Sequence, residues 1–137
     1  MSAYLRAFVR ALSRNYAETS VHEADPRLRG RTYAIPFEQV WQAACSLANG
    51  GLRRWRILQA DDYEGIIQAE ARTLVFGFVD DVLIRVYLDR DAQTRVDMQS
   101  RSRKGRVDFG TNARRIRRFF RALDRRLAQQ ARVTARH

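Results

Sequence analysis

The sequence has few of the residues that build disulfides, metal sites or nucleophilic centres. Cys45 is its only cysteine, which excludes a disulfide within the chain and gives no sign of an oxidising compartment. The only histidines, His22 and His137, are too few for a zinc site or for a histidine-activated nucleophile. We therefore expect no metal, no cofactor and no catalytic residue, and we interpret Cys45 as a buried structural thiol.

Long apolar runs are also absent from the sequence. No stretch approaches the roughly 18 uncharged apolar residues that a membrane-spanning helix needs, and Arg6 and Arg10 interrupt any signal-peptide core. We expect a cytoplasmic location, with a peripheral position at the inner face of a membrane as the alternative. The 45% hydrophobic content of the 137 residues is enough to form the core of one domain.

Lysine is nearly absent, and the positive charge is concentrated at one end of the chain. Lys104 is the single lysine among 26 basic residues, and the formal net charge is +11. Residues 1–100 contain 13 basic and 13 acidic residues, whereas residues 101–137 contain 13 basic residues against Asp108 and Asp124. Genomic base composition is our preferred explanation of the preference for arginine over lysine, with selection for the phosphate- and carboxylate-binding guanidinium group as the alternative. Base composition does not explain the clustering.

Hydrophobic periodicity predicts an α+β domain. Residues 3–16 have the pattern of an amphipathic helix, and Pro36 opens a second helix whose apolar stripe includes Trp41. From residue 52 to residue 101 the period changes to two, which is typical of strands joined by tight turns. The predicted strands cover residues 31–35, 52–60, 66–72, 74–79, 82–88 and 94–101.

The clearest predicted element is a helix from Asn112 to about Val133. Its apolar residues, Ile116, Phe119, Phe120, Leu123 and Leu127, fall on one stripe at helical spacing. We expect a single antiparallel sheet of four to six strands, with the Trp41 helix and this C-terminal helix on one face and the N-terminal helix docked peripherally. The residues expected to face inward across one hairpin are Val82, Ile84, Val86 and Leu88 opposite Val96, Met98 and Ser100.

These elements predict a simple domain organisation. Residues 1–20 form a basic amphipathic helical segment, residues 28–133 form the single α+β domain, and residues 134–137 form a short tail.

Several short motifs in the second half of the sequence point to a known family. They are Phe76-Gly77-Phe78-Val79-Asp80-Asp81-Val82, Arg95-Val96-Asp97, Ser100-Arg101-Ser102-Arg103, Gly105, Asp108, Gly110 and Asn112-Ala113-Arg114-Arg115-Ile116. With these motifs the chain resembles the domain-of-unknown-function family DUF1499 over about residues 28–125, which leaves the N-terminal helix and the arginine-rich tail as additions. The resemblance implies a mainly bacterial family, some members of which place membrane segments before the domain. It implies no catalytic set.

The segment that precedes the C-terminal helix is the best candidate for an anion site. Residues 101–112 combine basic side chains, hydroxyls and glycines ahead of a helix start, where free N–H groups and the helix dipole attract anions. The first helical turn also carries two arginines, although acidic residues are normally preferred there. The candidate anion-binding residues are Arg101, Ser102, Arg103, Lys104, Gly105, Arg106, Asn112, Arg114 and Arg115.

The anion that this segment binds can be internal or external. Asp80, Asp81 and Asp108 can form an ion-pair network that fixes the segment, and this is our preferred interpretation. An external phosphate, a carboxylate or an acidic partner is the alternative. Asp80 and Asp81 are adjacent on a predicted strand and therefore point to opposite faces, so they are better interpreted as partners of arginines than as a catalytic pair.

The outer stripe of the C-terminal helix is the candidate partner-binding surface. Together with the apolar face of the N-terminal helix, it gives as candidate residues Arg118, Arg121, Arg125, Arg132, Phe8 and Leu12. The leading hypothesis is a non-enzymatic interaction module that binds an acidic protein assembly or an anionic membrane surface. Nonspecific nucleic-acid binding is the first alternative, although the stripe lacks interleaved aromatic residues. A small-anion binder or enzyme that uses residues 101–115 is the second.

Overall fold

The structure, a computed structural model, describes residues 16–18, 30–74, 76–103 and 110–135. The strands are β1 (Tyr16–Glu18), β2 (Arg31–Tyr33), β3 (Trp55–Asp61), β4 (Ile66–Arg72), β5 (Val79–Leu88) and β6 (Thr94–Ser102). The helices are α1 (Phe37–Ser46), which a wide turn at Leu47–Gly51 extends, and α2 (Thr111–Ala135). The predicted α+β class with one antiparallel sheet is confirmed.

Strands β3 to β6 form a meander in which each strand pairs with the next along the chain. Alternation of apolar and polar residues sets the register of β5 and β6, where Val82, Ile84 and Val86 lie opposite Ser100, Met98 and Val96 as predicted. The inward position predicted for Leu88 is wrong, because this residue at the end of β5 is exposed.

The turn between β3 and β4 depends on a glycine. Gly65 has a φ of +70°, and a Cβ atom at this position would lie 2.0 Å from the carbonyl oxygen of Val86. The carbonyl of Gly65 in turn accepts a hydrogen bond of 2.7 Å from the Val86 N–H. Any side chain at residue 65 would therefore push the β3–β4 turn away from β5.

The two short strands β1 and β2 occupy successive parts of the same edge of β6. β1 pairs with residues 99–101 and β2 pairs with residues 94–96. The helical segment predicted over residues 1–20 is therefore wrong at residues 16–18, which are extended because the free edge of β6 offers backbone hydrogen-bond partners. The rest of that segment, with Phe8 and Leu12, lies outside the described residues, as does the tail at residues 136–137.

The strand predicted at residues 74–79 is also wrong except at Val79, which begins β5. Residues 73, 74 and 76–78 instead lie in the loop of the β4–β5 hairpin. The Thr73 N–H donates to the Phe78 carbonyl at 2.8 Å, and Gly77 has a φ of +64°, a conformation that a strand cannot contain. Leu74, Phe76 and Phe78 occur at every second position, as in a strand, but they belong to a loop.

The core lies between one face of the sheet and both helices. The Trp55 and Phe119 rings stack at 5.8 Å, and the Phe119 and Phe120 rings meet edge to face at 5.6 Å. Trp41 and Leu123 are buried in the same cluster. The predicted placement of both helices on one face is confirmed.

Candidate basic interaction surface

A buried polar cluster lies where the start of α2 meets the strands. It consists of Asp80 on β5, Ser100 and Ser102 on β6, and Asn112 and Arg115 on α2. Ser100 Oγ donates to Asn112 Oδ1 at 2.7 Å, and Asn112 Nδ2 donates to Ser102 Oγ at 3.0 Å. Arg115 Nη1 lies 2.9 Å from Asp80 Oδ2, with side-chain exposures of 9% and 0%. The charge of Arg115 is therefore balanced inside the protein.

A second ion-pair network lies on the opposite face of the sheet. Arg103 Nε and Nη2 both donate to the carboxylate of Asp81, at distances from 2.6 to 3.0 Å. Arg103 Nη2 also donates to Glu70 Oε1 at 3.0 Å, and Arg56 Nε donates to Glu70 Oε2 at 3.0 Å. Asp80 and Asp81 thus point to opposite faces, and each has an arginine as its partner.

These contacts shift the pKa values of the paired groups. Burial raises the pKa of Glu70, but the hydrogen bonds from Arg103 and Arg56 outweigh burial, so the net pKa lies below its ordinary value. Hydrogen bonding to Asp81 raises the pKa of Arg103, with Glu70 adding to the effect against the opposing effect of burial. Glu70 and Arg103 are therefore both charged at neutral pH.

The lowered pKa of Glu70 predicts a contribution to stability that acid removes. Because the folded protein holds the pKa below its ordinary value of 4.5, the contribution is complete above that pH and is lost as the pH falls through the folded-state pKa. We expect Glu70→Gln to be less stable than the unsubstituted protein at pH 7, and the gap to narrow as the pH falls below about 4.5. Urea unfolding at a series of pH values measures this gap. The same substitution at the exposed Glu38 is the control, and a gap that does not depend on pH would contradict the prediction.

Most of the predicted anion-binding residues that the structure describes are in contact with other parts of the protein. Ser102, Arg103, Asn112 and Arg115 belong to the two networks described above. Arg101 is half-buried, and the exposed Arg114 donates to Thr111 Oγ1 at 3.3 Å. Lys104, Gly105, Arg106 and Asp108 lie outside the described residues.

The arginines on the outer side of α2, unlike those of the two networks, are exposed to solvent. Four arginines that share one stripe of the helix are all exposed, and none has a carboxylate partner among the described residues; we call this stripe the basic face. It consists of Arg118, Arg121, Arg125 and Arg132. Its spacing of three, four and seven residues follows the helical repeat, so the guanidinium groups line up on the side opposite the buried stripe.

The only acidic residue of α2 does not neutralise the basic face. The Asp124 carboxylate accepts a hydrogen bond from the Tyr33 hydroxyl, and Arg31 Nε lies 3.7 Å from it. Burial, followed by the hydrogen bond to Asp124, raises the pKa of Tyr33, so this hydroxyl stays a donor. Asp124 thus ties α2 to β2 at the edge of the sheet.

Comparison with known proteins assigns the chain to a family. The model of the family described as "Protein of unknown function (DUF1499)" matches residues 8–123, most of the chain. The chain belongs to the DUF1499 family. No curated protein and no solved structure matches it significantly.

The extent of this match differs from the one that the motifs suggested. It begins at residue 8, so most of the N-terminal segment belongs to the DUF1499 region and is not an addition to it. The match ends at residue 123, which places Arg118 and Arg121 inside the region and Arg125 and Arg132 beyond it. The basic face thus crosses the boundary of the shared DUF1499 sequence.

Other features bear on the chemistry of the DUF1499 domain. Within the described ranges, no group of three or more His, Cys, Asp or Glu side chains could hold a metal ion, and no helix is long and apolar enough to cross a membrane. Cys45 is half-buried, and burial, followed by the charges of Asp62 and Glu38, raises the pKa of its thiol. The thiol is therefore a weak nucleophile at neutral pH.

Sequence reasoning missed several residues of these networks. Glu70 and Arg56 face each other across β3 and β4, and opposite charges at paired strand positions are a signal that could have found them. The exposed apolar loop of the β4–β5 hairpin was missed because its alternation imitates a strand. Tyr33 and Asp124 are separated by most of the chain, and no local pattern joins them.

Proposed function

We propose that this DUF1499 protein is a non-enzymatic interaction module whose basic face docks on an acidic protein assembly or an anionic membrane surface. The observation that carries the proposal is the exposure of Arg118, Arg121, Arg125 and Arg132 on one stripe of a helix whose opposite side is fixed in the core. From Arg118 to Arg132 the stripe extends about 20 Å at 1.5 Å per residue.

The rigidity of α2 supports the proposal. Ile116, Phe119, Phe120 and Leu123 are completely buried beneath the stripe, so the helix cannot rotate without leaving the core. Arg126 adds a tether, because its Nη1 donates to Ser46 Oγ at the end of α1. A fixed row of cations attracts an anionic surface with little loss of conformational freedom in the backbone.

The end of α2 makes the basic face accessible. Leu127 is the last buried residue among the α2 side chains that the structure describes, and all of residues 128–132 are exposed. This exposure on all sides of the helix leaves Arg132 accessible to a partner.

The exposed side of α2 lacks the aromatic side chains that would favour binding to nucleic acid. The aromatic residues of α2, Phe119 and Phe120, are buried and therefore offer no surface on which bases can stack. Electrostatic attraction to phosphates alone gives nonspecific binding that falls steeply with salt. Binding to duplex DNA is for this reason included as an outcome of the test.

Reversing two charges of the basic face tests the proposal. We expect Arg121→Glu/Arg125→Glu to weaken binding to phosphatidylserine-containing vesicles, or to an acidic protein assembly, on the order of a hundredfold, because each cation near an anionic surface contributes about 1 kcal/mol. Vesicle co-sedimentation at several salt concentrations measures the loss, with duplex DNA as a parallel ligand.

The matched control changes the net charge equally but elsewhere. Arg85→Glu/Arg90→Glu alters two exposed arginines on β5 and at the β5–β6 turn. Equal weakening by the two double variants would mean that total charge decides binding, not the basic face. Loss of DNA binding without a change in vesicle or protein binding would support the nucleic-acid alternative.

A further inference from the structure

The loop of the β4–β5 hairpin holds its side chains in a defined arrangement. Thr73 closes the loop, because its N–H donates to the Phe78 carbonyl at 2.8 Å and its carbonyl accepts from the Gly77 N–H at 3.2 Å. Thr73 Oγ1 also accepts a hydrogen bond of 2.9 Å from the Phe78 N–H. Three hydrogen bonds therefore hold Thr73, Gly77 and Phe78 together between the paired strands β4 and β5.

The side chains at the tip of this loop are apolar and exposed. Leu74 is 74% exposed and Phe76 is 76% exposed. The rings of Phe76 and Phe78 are in contact, with centroids 5.4 Å apart, so these two rings form one apolar surface. Single exposed hydrophobic residues are common, but a continuous apolar protrusion on a hydrogen-bonded loop marks a site of interaction.

Cations surround the base of the same hairpin. Arg53, Arg54 and Arg72 are all exposed, and none has a carboxylate partner among the described residues. Arg54 and Arg72 lie side by side, since the Arg72 N–H donates to the Arg54 carbonyl at 3.0 Å. Glu70 and Asp81, which face each other across the neighbouring strands β4 and β5, pair with Arg56 and Arg103.

We propose that this hairpin is a membrane-insertion tip: Leu74 and Phe76 enter the interface of an anionic lipid bilayer, and Arg53, Arg54 and Arg72 contact the lipid phosphates. The order of the residues along the hairpin favours lipid, because apolar groups are at the end and cations are behind them, which is the order of acyl chains and phosphates in a bilayer. A site for single-stranded nucleic acid would instead interleave aromatic and basic residues along a groove. The tip is separate from the basic face and does not require it.

Removal of the apolar side chains is the direct test. We expect Leu74→Ser/Phe76→Ser to bind vesicles of phosphatidylcholine and phosphatidylserine more than about tenfold more weakly than the unsubstituted full chain. Because both side chains are exposed, the circular dichroism spectrum and the unfolding midpoint should not change. Tyr63→Ser/Leu88→Ser, which removes two exposed apolar side chains at the opposite end of the sheet, is the matched control and should bind like the unsubstituted chain.

A fluorescent reporter at the tip tests insertion itself. Both native tryptophans, Trp41 and Trp55, are buried, so the indole introduced by Phe76→Trp is the one that solvent reaches. We expect its emission to shift to shorter wavelength on vesicles that contain phosphatidylserine, and brominated lipid to quench it. Binding without a spectral shift would overturn insertion, as would equal binding by the tip variant and the unsubstituted chain.

Parallel measurement of Arg121→Glu/Arg125→Glu separates this inference from the proposed function. Weak vesicle binding by that variant combined with normal binding by the tip variant would overturn the insertion tip and leave the basic face standing. Failure of the unsubstituted chain to bind anionic vesicles would overturn the insertion tip, and so would binding of single-stranded DNA that depends on Phe76. An acidic protein that binds through the basic face would still satisfy the proposed function.

Discussion

Arg115→Met is expected to lower the free energy of unfolding by about 3–5 kcal/mol, because it removes the guanidinium that pairs with a buried carboxylate. The Asp80 side chain is completely buried, and its Oδ2 lies 2.9 Å from Arg115 Nη1. The same guanidinium nitrogen donates to Ser100 Oγ at 3.1 Å and to Asn112 Oδ1 at 2.9 Å. Removal of the guanidinium thus disrupts the whole polar cluster at the start of α2.

Urea unfolding at pH 7 measures this loss of stability. Two further variants show whether the loss comes from the buried ion pair. Arg56→Met removes an arginine from an ion pair in which its side chain is 66% exposed, and we expect a loss of at most about 1 kcal/mol. Asp80→Asn/Arg115→Met removes both charges and should recover part of the stability lost in Arg115→Met. Equal losses in Arg115→Met and Arg56→Met would show that burial of the pair is unimportant.

Phe119→Ala is expected to lower the free energy of unfolding by about 3–5 kcal/mol through the cavity that it leaves. The Phe119 side chain is completely buried between the Trp55 ring and the Phe120 ring. These contacts join α2 to the sheet, so the substitution weakens the attachment of the helix that carries the basic face. Thermal and urea unfolding both measure the effect.

The chain supplies a matched control for this substitution. Phe76→Ala makes the same chemical change at a side chain that is 76% exposed, and we expect a change within about 0.5 kcal/mol. A large loss at Phe76 would mean that the hairpin loop packs against something that stabilises the folded chain. A small loss at Phe119 would mean that the core closes around the vacant volume.

Local patterns predicted the secondary structure of the sheet and of α2 well. The alternation in β5 and β6 was sufficient to give three correct pairs, because side chains on a pleated strand alternate between faces. The same rule failed at residues 74–79, where Gly77 and the Thr73 hydrogen bonds favour a loop. Strand β3 begins at Trp55 instead of Leu52 because Arg54, with a φ of 64°, turns the backbone before it.

The ion-pair networks were predictable only in part. Because side chains alternate along a strand, the sequence predicted that Asp80 and Asp81 point to opposite faces of the sheet. The many arginines nearby in the sequence indicated that arginines are their partners. The choice of Arg115 for Asp80 depends on how α2 crosses the end of the sheet, whereas Arg103 reaches Asp81 from the end of β6. This crossing is set by core packing between residues distant in sequence, such as Trp55 and Phe119, which no local pattern specifies.

The meander of β3 to β6 has a consequence for biosynthesis. Every pairing within it joins neighbouring strands through a short turn, so the sheet needs no residue beyond Ser102. α2, which covers the apolar face of that sheet, is the last part of the domain to leave the ribosome. Until α2 emerges, a newly made chain therefore exposes the part of the apolar sheet face that α1 does not cover, and the speed at which α2 docks decides how long the nascent protein is vulnerable to aggregation.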